Sequence, residues 1–281
     1  KPRTTDTSIN YTTLFLYAPH IDFRVNKEIY ESTFSVLSGQ SFDHVWVIGT
    51  SHYSGYHPEM YTLNPFIVVD KDFISPLGRV KRNAEINKRL KQLESSPRYG
   101  VTFQDRANRL EHSLEFHLIL AQRYLKAGFT HTSILVSGLD EVFYSEASHH
   151  AKVLENLSAE LLQLMNNKSG RQLVLISGDL SHFGPRFGMQ EDAKEASEII
   201  KFVDRTFLKG IESMDKNAIL NSISEHYNST EICGLWPAIL GISIKPKGVH
   251  QTILQQYADW YESDDQSLVS FGSVLNSFPR S

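Results

Sequence analysis

Residues 173–184 read LVLISGDLSHFG. Four apolar residues in a row, two of them the β-branched Val174 and Ile176, are too few for a helix. They form the pattern of a strand buried on both faces. The Ser-Gly that follows ends the strand, and Asp179 and His182 then stand just beyond its carboxyl end. The same pattern occurs twice more. TLFLY (13–17) runs into Ala18-Pro19-His20, and HVWVIG (44–49) runs into Thr50-Ser51-His52. In an open α/β sheet the ligand crevice lies beyond the carboxyl ends of the strands. Three such strands delivering histidine or aspartate to that edge predict both the fold class and the place of the site.

Working outward, further strands are predicted at 65–69, 132–136, 251–257 and 268–275. Amphipathic helices are predicted at 26–37, 83–93, 113–125, 146–164, 191–208, 216–225 and 235–242. Val153, Leu154, Leu157, Leu161 and Leu164 make a helical stripe that faces a core. Strands alternating with helices give an α/β fold. The expected architecture is one domain over residues 1–281, with a central mixed, mostly parallel sheet and helices on both faces. No repeat, Pro-rich linker or low-complexity stretch divides it.

The bulk properties narrow the function. With 281 residues, 41% of them hydrophobic, the chain can bury a large core without disulfides. Its single cysteine, Cys233, excludes an internal disulfide and fits a reducing compartment. The formal net charge of −4 argues against nucleic acid and anionic membranes as partners. Arg79, Lys81, Arg82, Lys88, Arg89 and Lys91 read as the solvated face of one helix. No apolar run reaches the roughly 18–20 residues of a membrane span, and residues 1–10 lack a signal-peptide core. The expected location is the cytoplasm.

The chemistry-bearing residues fall into four groups. His20 and His52 each follow a buried strand and a few small residues, whereas His44 and His57 read as non-ligands. Asp179 and His182 share one tight turn, a spacing that suits an acid/base pair or a carboxylate orienting its histidine; Asp179 or Ser181 could equally cap that turn. In Glu111-His112-Ser113-Leu114-Glu115-Phe116-His117, His112 is the functional candidate, with Glu111 and His117 supporting it or serving the fold. The run is not HExxH, so no zincin mechanism follows. Cys233 precedes a predicted helix, and a helix N-terminus lowers a thiol pKa. Two histidines with one thiolate suit zinc, iron or copper, and the spacing leaves the metal open. The chain has no GxGxxG, P-loop or GxSxG signature.

APH (18–20), IGTSHY (48–53), EHSLEFHL (111–118), ISGDLSHFG (176–184) and ICGLWP (232–237), in this order, resemble the Memo family, which includes the B component of the AmmeMemoRadiSam system. YADWYESDDQSLVSFGSVL (257–275) looks like that family's closing hairpin. The resemblance implies a fold like the class III extradiol dioxygenases, with His20, His52 and Cys233 as metal ligands. It places Asp179 and His182 beside the metal and His112 nearby. It implies Fe(II) as the cofactor, with copper or zinc as alternatives, and a non-haem oxidoreductase activity resembling a dioxygenase. His182 would move protons, oriented or tuned by Asp179, and His112 would hydrogen-bond the substrate or an oxygen species. A zinc hydrolase and a peptide- or metal-binding effector using the same cleft are the alternatives. The substrate is a small molecule or peptide, and a homo-oligomer is compatible with the reading. The chain departs from the family after APH, where Asp22 and Arg24 are expected at the pocket mouth, and in CGLWP, where a basic residue is lost.

Overall fold

The structure, a computed structural model, describes residues 11–279 except residue 227. Along the chain the strands are β1 (Tyr11–Ala18), β2 (His44–Thr50), β3 (Phe66–Val69), β4 (Phe73–Ser75), β5 (Gly78–Arg82), β6 (Val101–Thr102), β7 (Thr130–Val136), β8 (Gln172–Ser177), β9 (His182–Phe183), β10 (Gln251–Glu262) and β11 (Ser267–Pro279). The helices are α1 (Lys27–Ser35), α2 (Pro58–Tyr61), α3 (Ala84–Leu93), α4 (Ser113–Tyr124), α5 (Glu141–Tyr144), α6 (His149–Asn167), α7 (Ser197–Glu212), α8 (Lys216–Ser224) and α9 (Leu235–Ser243).

One sheet runs in the order β10-β11-β1-β8-β2-β7-β3-β6. Its centre, β1-β8-β2-β7, is parallel, and β10, β11 and β3 join antiparallel. β1 and β11, far apart in sequence, are hydrogen-bonded neighbours within that sheet. This is the α/β architecture expected from the strand and helix alternation.

The pleat divides the core into two layers. Phe15, Tyr17, Trp46, Ile48, Val174 and Ile176 point to one face and pack with α3, α6, α7, α8 and α9. Leu14, Leu16, Val45, Val47, Leu173 and Leu175 point to the other and pack with α1 and α4. Both faces are covered, which is why the central strands read as continuous apolar runs rather than alternating ones. Each such side chain contributes about 1.5–3 kcal/mol on burial.

The register brings the carboxyl ends of three strands level. Ala18 of β1 lies opposite Ser177 of β8, and Ser177 lies opposite Gly49 of β2. Over this edge, α4 begins on one face of the sheet and α9 on the other.

Two expectations are corrected. Arg79, Lys81 and Arg82 do not share a helix with Lys88, Arg89 and Lys91; they lie on β5, paired with β4 in a hairpin. Arg79 and Arg82 reach Asp72, and Arg82 also reaches Asp70, while Asn83 caps α3 by accepting from Ile86 N. The helix expected at 191–208 begins only at Ser197. Asp192 accepts from Lys194 N and from the Tyr261 hydroxyl, and this local turn competes with helix there. Among the described residues, no helix is long and apolar enough to cross a membrane.

Candidate metal centre

His20, His52 and Cys233 arrive from β1, β2 and the turn before α9, and their ligand atoms lie within 4.8 Å of one another. His20 Nε2 is 3.4 Å from Cys233 Sγ. A tetrahedral cation with ordinary metal–nitrogen and metal–sulfur bonds holds such a pair about 3.5 Å apart. The three rings His20, His52 and His112 are mutually close, with centroids 5.0–5.2 Å apart and His52 stacked on His112. Donor identity and spacing therefore fit a metal ion.

The turns that carry these groups are tightly fastened. The buried Asp179 carboxylate accepts from His20 N at 2.9 Å and Ile21 N at 3.2 Å, holding the turn after β1. His117, on α4, contacts Pro19 O at 3.0 Å and secures the same turn from below. The backbone of Asp179 is held in turn by the Tyr17 hydroxyl on its carbonyl and by Cys233 Sγ accepting its N–H. The 178–179 and 233–234 backbones touch. A Cβ on Gly178 would sit 2.2 Å from Gly234 Cα, and one on Gly234 would sit 2.1 Å from the Tyr17 hydroxyl oxygen. Only glycine fits either position.

Electrostatically the site is short of positive charge. Burial, with Asp179 adding to it, pushes the Cys233 thiol well above its ordinary range. Burial thus opposes the thiolate expected at the α9 N-terminus. Burial also raises Asp179 to about 7, against the hydrogen bonds from His20 and Ile21. Burial and then the neighbouring His52 and His112 rings hold His20 far below the imidazole range. Burial lowers His182 to about 4. A cation among these groups reverses the balance by favouring thiolate and carboxylate.

A sequence model of the Memo-like protein family matches residues 2–275. The chain belongs to the Memo family. A MEMO1 family protein from Aquifex aeolicus is 27% identical over 262 residues, covering 92% of this chain and 63% of that protein. The chain thus spans less than two thirds of that relative. MEMO1 family proteins from Methanobrevibacter smithii and Pyrococcus abyssi are each 25% identical, covering 92% of this chain and 80% and 84% of theirs.

Within this Memo chain, the six residues singled out from sequence converge on one end of the sheet. Asp179, His182 and Cys233 form a second group of ligand atoms within 4.8 Å, and His52, Glu111 and His112 a third. Asp179 does not orient the ring of His182, however. His182 Nδ1 lies 3.1 Å from Leu180 O and 3.2 Å from Glu231 O, while the Asp179 carboxylate secures the His20 turn. His44 lies at the far end of β2 against Thr130, and His57 pairs with Glu59. Arg24 is spent on an exposed ion pair with Asp22, so the mouth gains no free charge from either. Sequence reasoning missed Ser177, Thr50 and Tyr17, whose hydroxyls bind the site's backbone or rings. The one available signal was their position, at or near the ends of the same three strands.

Proposed function

We propose that this Memo-family protein is a non-haem metal oxidoreductase, with Fe(II), or alternatively copper, held by His20, His52 and Cys233. One observation carries the reading: two imidazole nitrogens and a thiol converge from three separated segments, with two proton-carrying groups alongside. When bound, the metal supplies a Lewis acid and an electron path. The protein's own groups do the rest. Asp179, raised to about 7 by burial and lowered again by a bound cation, stands as the carboxylate that takes up a proton, as a general base must. His182 has Nδ1 engaged by two carbonyls, which leaves Nε2 to accept a proton from substrate. His112 is part-exposed beside His52 and stands on the solvent side, where a small molecule or peptide enters. Kinship with the extradiol dioxygenases, and with it the use of O₂, is part of the proposal.

The same donor set with an open side also suits zinc hydrolysis. Elemental analysis of protein purified anaerobically without a metal-affinity tag separates the two. Near-stoichiometric iron or copper, lost in His52→Ala and Cys233→Ala, together with O₂ uptake, supports the oxidoreductase. Zinc lost in both variants, with no O₂ dependence, shifts the function to hydrolysis. Absence of metal, and no uptake on reconstitution, overturns the metal centre and leaves a binding cleft.

A further inference from the structure

We infer that Ser177 and Glu111 are tautomer locks: they hold His20 and His52 as Nδ1–H imidazoles, so that both present a bare Nε2 to the centre before any metal arrives. The inference rests on the metal-centre reading for its purpose but on hydrogen-bond direction for its content.

For His20 the direction follows from counting protons. Ser177 Oγ lies 2.5 Å from Ser113 O, a carbonyl that can only accept, so the serine's single proton points there. Ser177 Oγ also lies 3.1 Å from His20 Nδ1. With its proton already committed, the hydroxyl can only accept from the ring, so Nδ1 carries the hydrogen. On the other edge, Nε2 faces Cys233 Sγ at 3.4 Å. Cys233 Sγ also reaches Asp179 O at 3.7 Å, so the thiol proton has two acceptors on this side and the direction is fixed by Ser177 alone.

For His52 the lock is a carboxylate. Glu111 is buried, and its Oε1 lies 2.9 Å from His52 Nδ1 while Oε2 accepts from His52 N at 2.8 Å. Oε1 accepts further from His112 N at 3.0 Å and Ser113 N at 3.1 Å. Three backbone N–H groups around one carboxylate leave no room for a proton on it, so the ring nitrogen must donate. Ligating histidines are commonly oriented in this way by a partner on the other ring nitrogen. Here the two locks are joined. Ser113 supplies the carbonyl that aims Ser177 and the amide that binds Glu111, and its hydroxyl donates to Thr50 O at 2.8 Å. The start of α4 therefore sets both rings at once.

The test uses the full chain labelled with ¹⁵N-histidine, treated with EDTA, and two-bond ¹H–¹⁵N correlation to read each ring's tautomer. His20→Ala and His52→Ala assign the signals. Zn²⁺ titration supplies the affinity. Wild type should show both rings as Nδ1–H. Ser177→Ala should abolish that preference for His20 alone, and Glu111→Gln for His52 alone, each weakening Zn²⁺ binding about 10–100-fold. Ser177→Ala removes only a hydroxyl, so the test survives if Glu111→Gln misfolds. An Nε2–H tautomer for either ring in wild type overturns the inference, as do unchanged tautomers in Ser177→Ala. Nδ1–H rings in a wild type that takes up no metal uphold the locks and overturn the metal centre instead.

Discussion

At the scale of single residues, Asp179 and Cys233 carry opposite demands. Both hold their protons in the metal-free site because burial penalises their charged forms. A carboxyl whose folded value stands above its unfolded one favours the folded state most at low pH. For Asp179 that contribution is complete below about 4, the unfolded carboxylate value, and is lost as pH rises through about 7. Asp179→Asn keeps an oxygen for His20 N and Ile21 N without the charge. In EDTA-treated protein, the stability of Asp179→Asn relative to wild type should therefore rise by on the order of a few kcal/mol between pH 4 and pH 8. Urea unfolding across that range measures it, and a difference that stays flat with pH would contradict the burial argument. Cys233 makes a second prediction. Its thiol must lose a proton to become a ligand, so Zn²⁺ uptake by wild type at neutral pH should release about one proton, and affinity should climb roughly tenfold per pH unit. Calorimetry in buffers of different ionisation enthalpy reads the proton count directly.

At the scale of elements, the site depends on the close meeting of the β8 turn and the α9 turn. Gly234→Ala drives a methyl group into the Tyr17 hydroxyl and towards Asp179 O. It should cost about 1–3 kcal/mol, whereas Gly55→Ala, with nothing within 4 Å of its Cβ, should be nearly silent. Adding Tyr17→Phe to Gly234→Ala should recover part of the loss in chemical denaturation; a fully additive pair would show that the hydroxyl contact is not the cause. The elements also show what was legible beforehand. Among the described residues, the six strands of six residues or more, the shorter β3 and the seven helices of nine or more announce themselves, because burial leaves apolar runs in strands and stripes on helices. The β4–β5 hairpin did not, because its strands lie at the surface and are held by ion pairs to Asp70 and Asp72, which leave no hydrophobic period. The same limit applies at the site. The positions of His20, His52 and Asp179 were readable as strand ends. The attachment of Asp179 to the His20 turn rather than to His182 depends on chain segments 159 residues apart, and no local pattern encodes it.

At the scale of the whole molecule, the centre lies where three parts of the chain meet that the sheet alone does not tie together at their tips. β1, β8 and β2 end level, but their following turns rise above the last ladder hydrogen bonds, and the α9 turn reaches them from the opposite face. The tips are secured by side-chain contacts: Asp179 to the His20 turn, Glu111 to His52, and the Thr50 hydroxyl to Cys233 O at 2.7 Å. A cation shared by His20, His52 and Cys233 would fasten residues from near the start, the first fifth and the last fifth of the chain. Anything that binds only the folded state stabilises it by mass action, about 2.7 kcal/mol at a ligand concentration a hundred times Kd. Zn²⁺ at that excess should therefore raise Tm by several degrees. Amide exchange should slow at His20, His52, Asp179 and Gly234 while the β10–β11 hairpin is unaffected. His52 is the ligand to remove, since its side chain is part-exposed and its loss opens little of the core. Metal-free His52→Ala should unfold near the wild-type temperature yet gain little from Zn²⁺. If it gains as much as wild type, the cation is acting somewhere other than across these three tips.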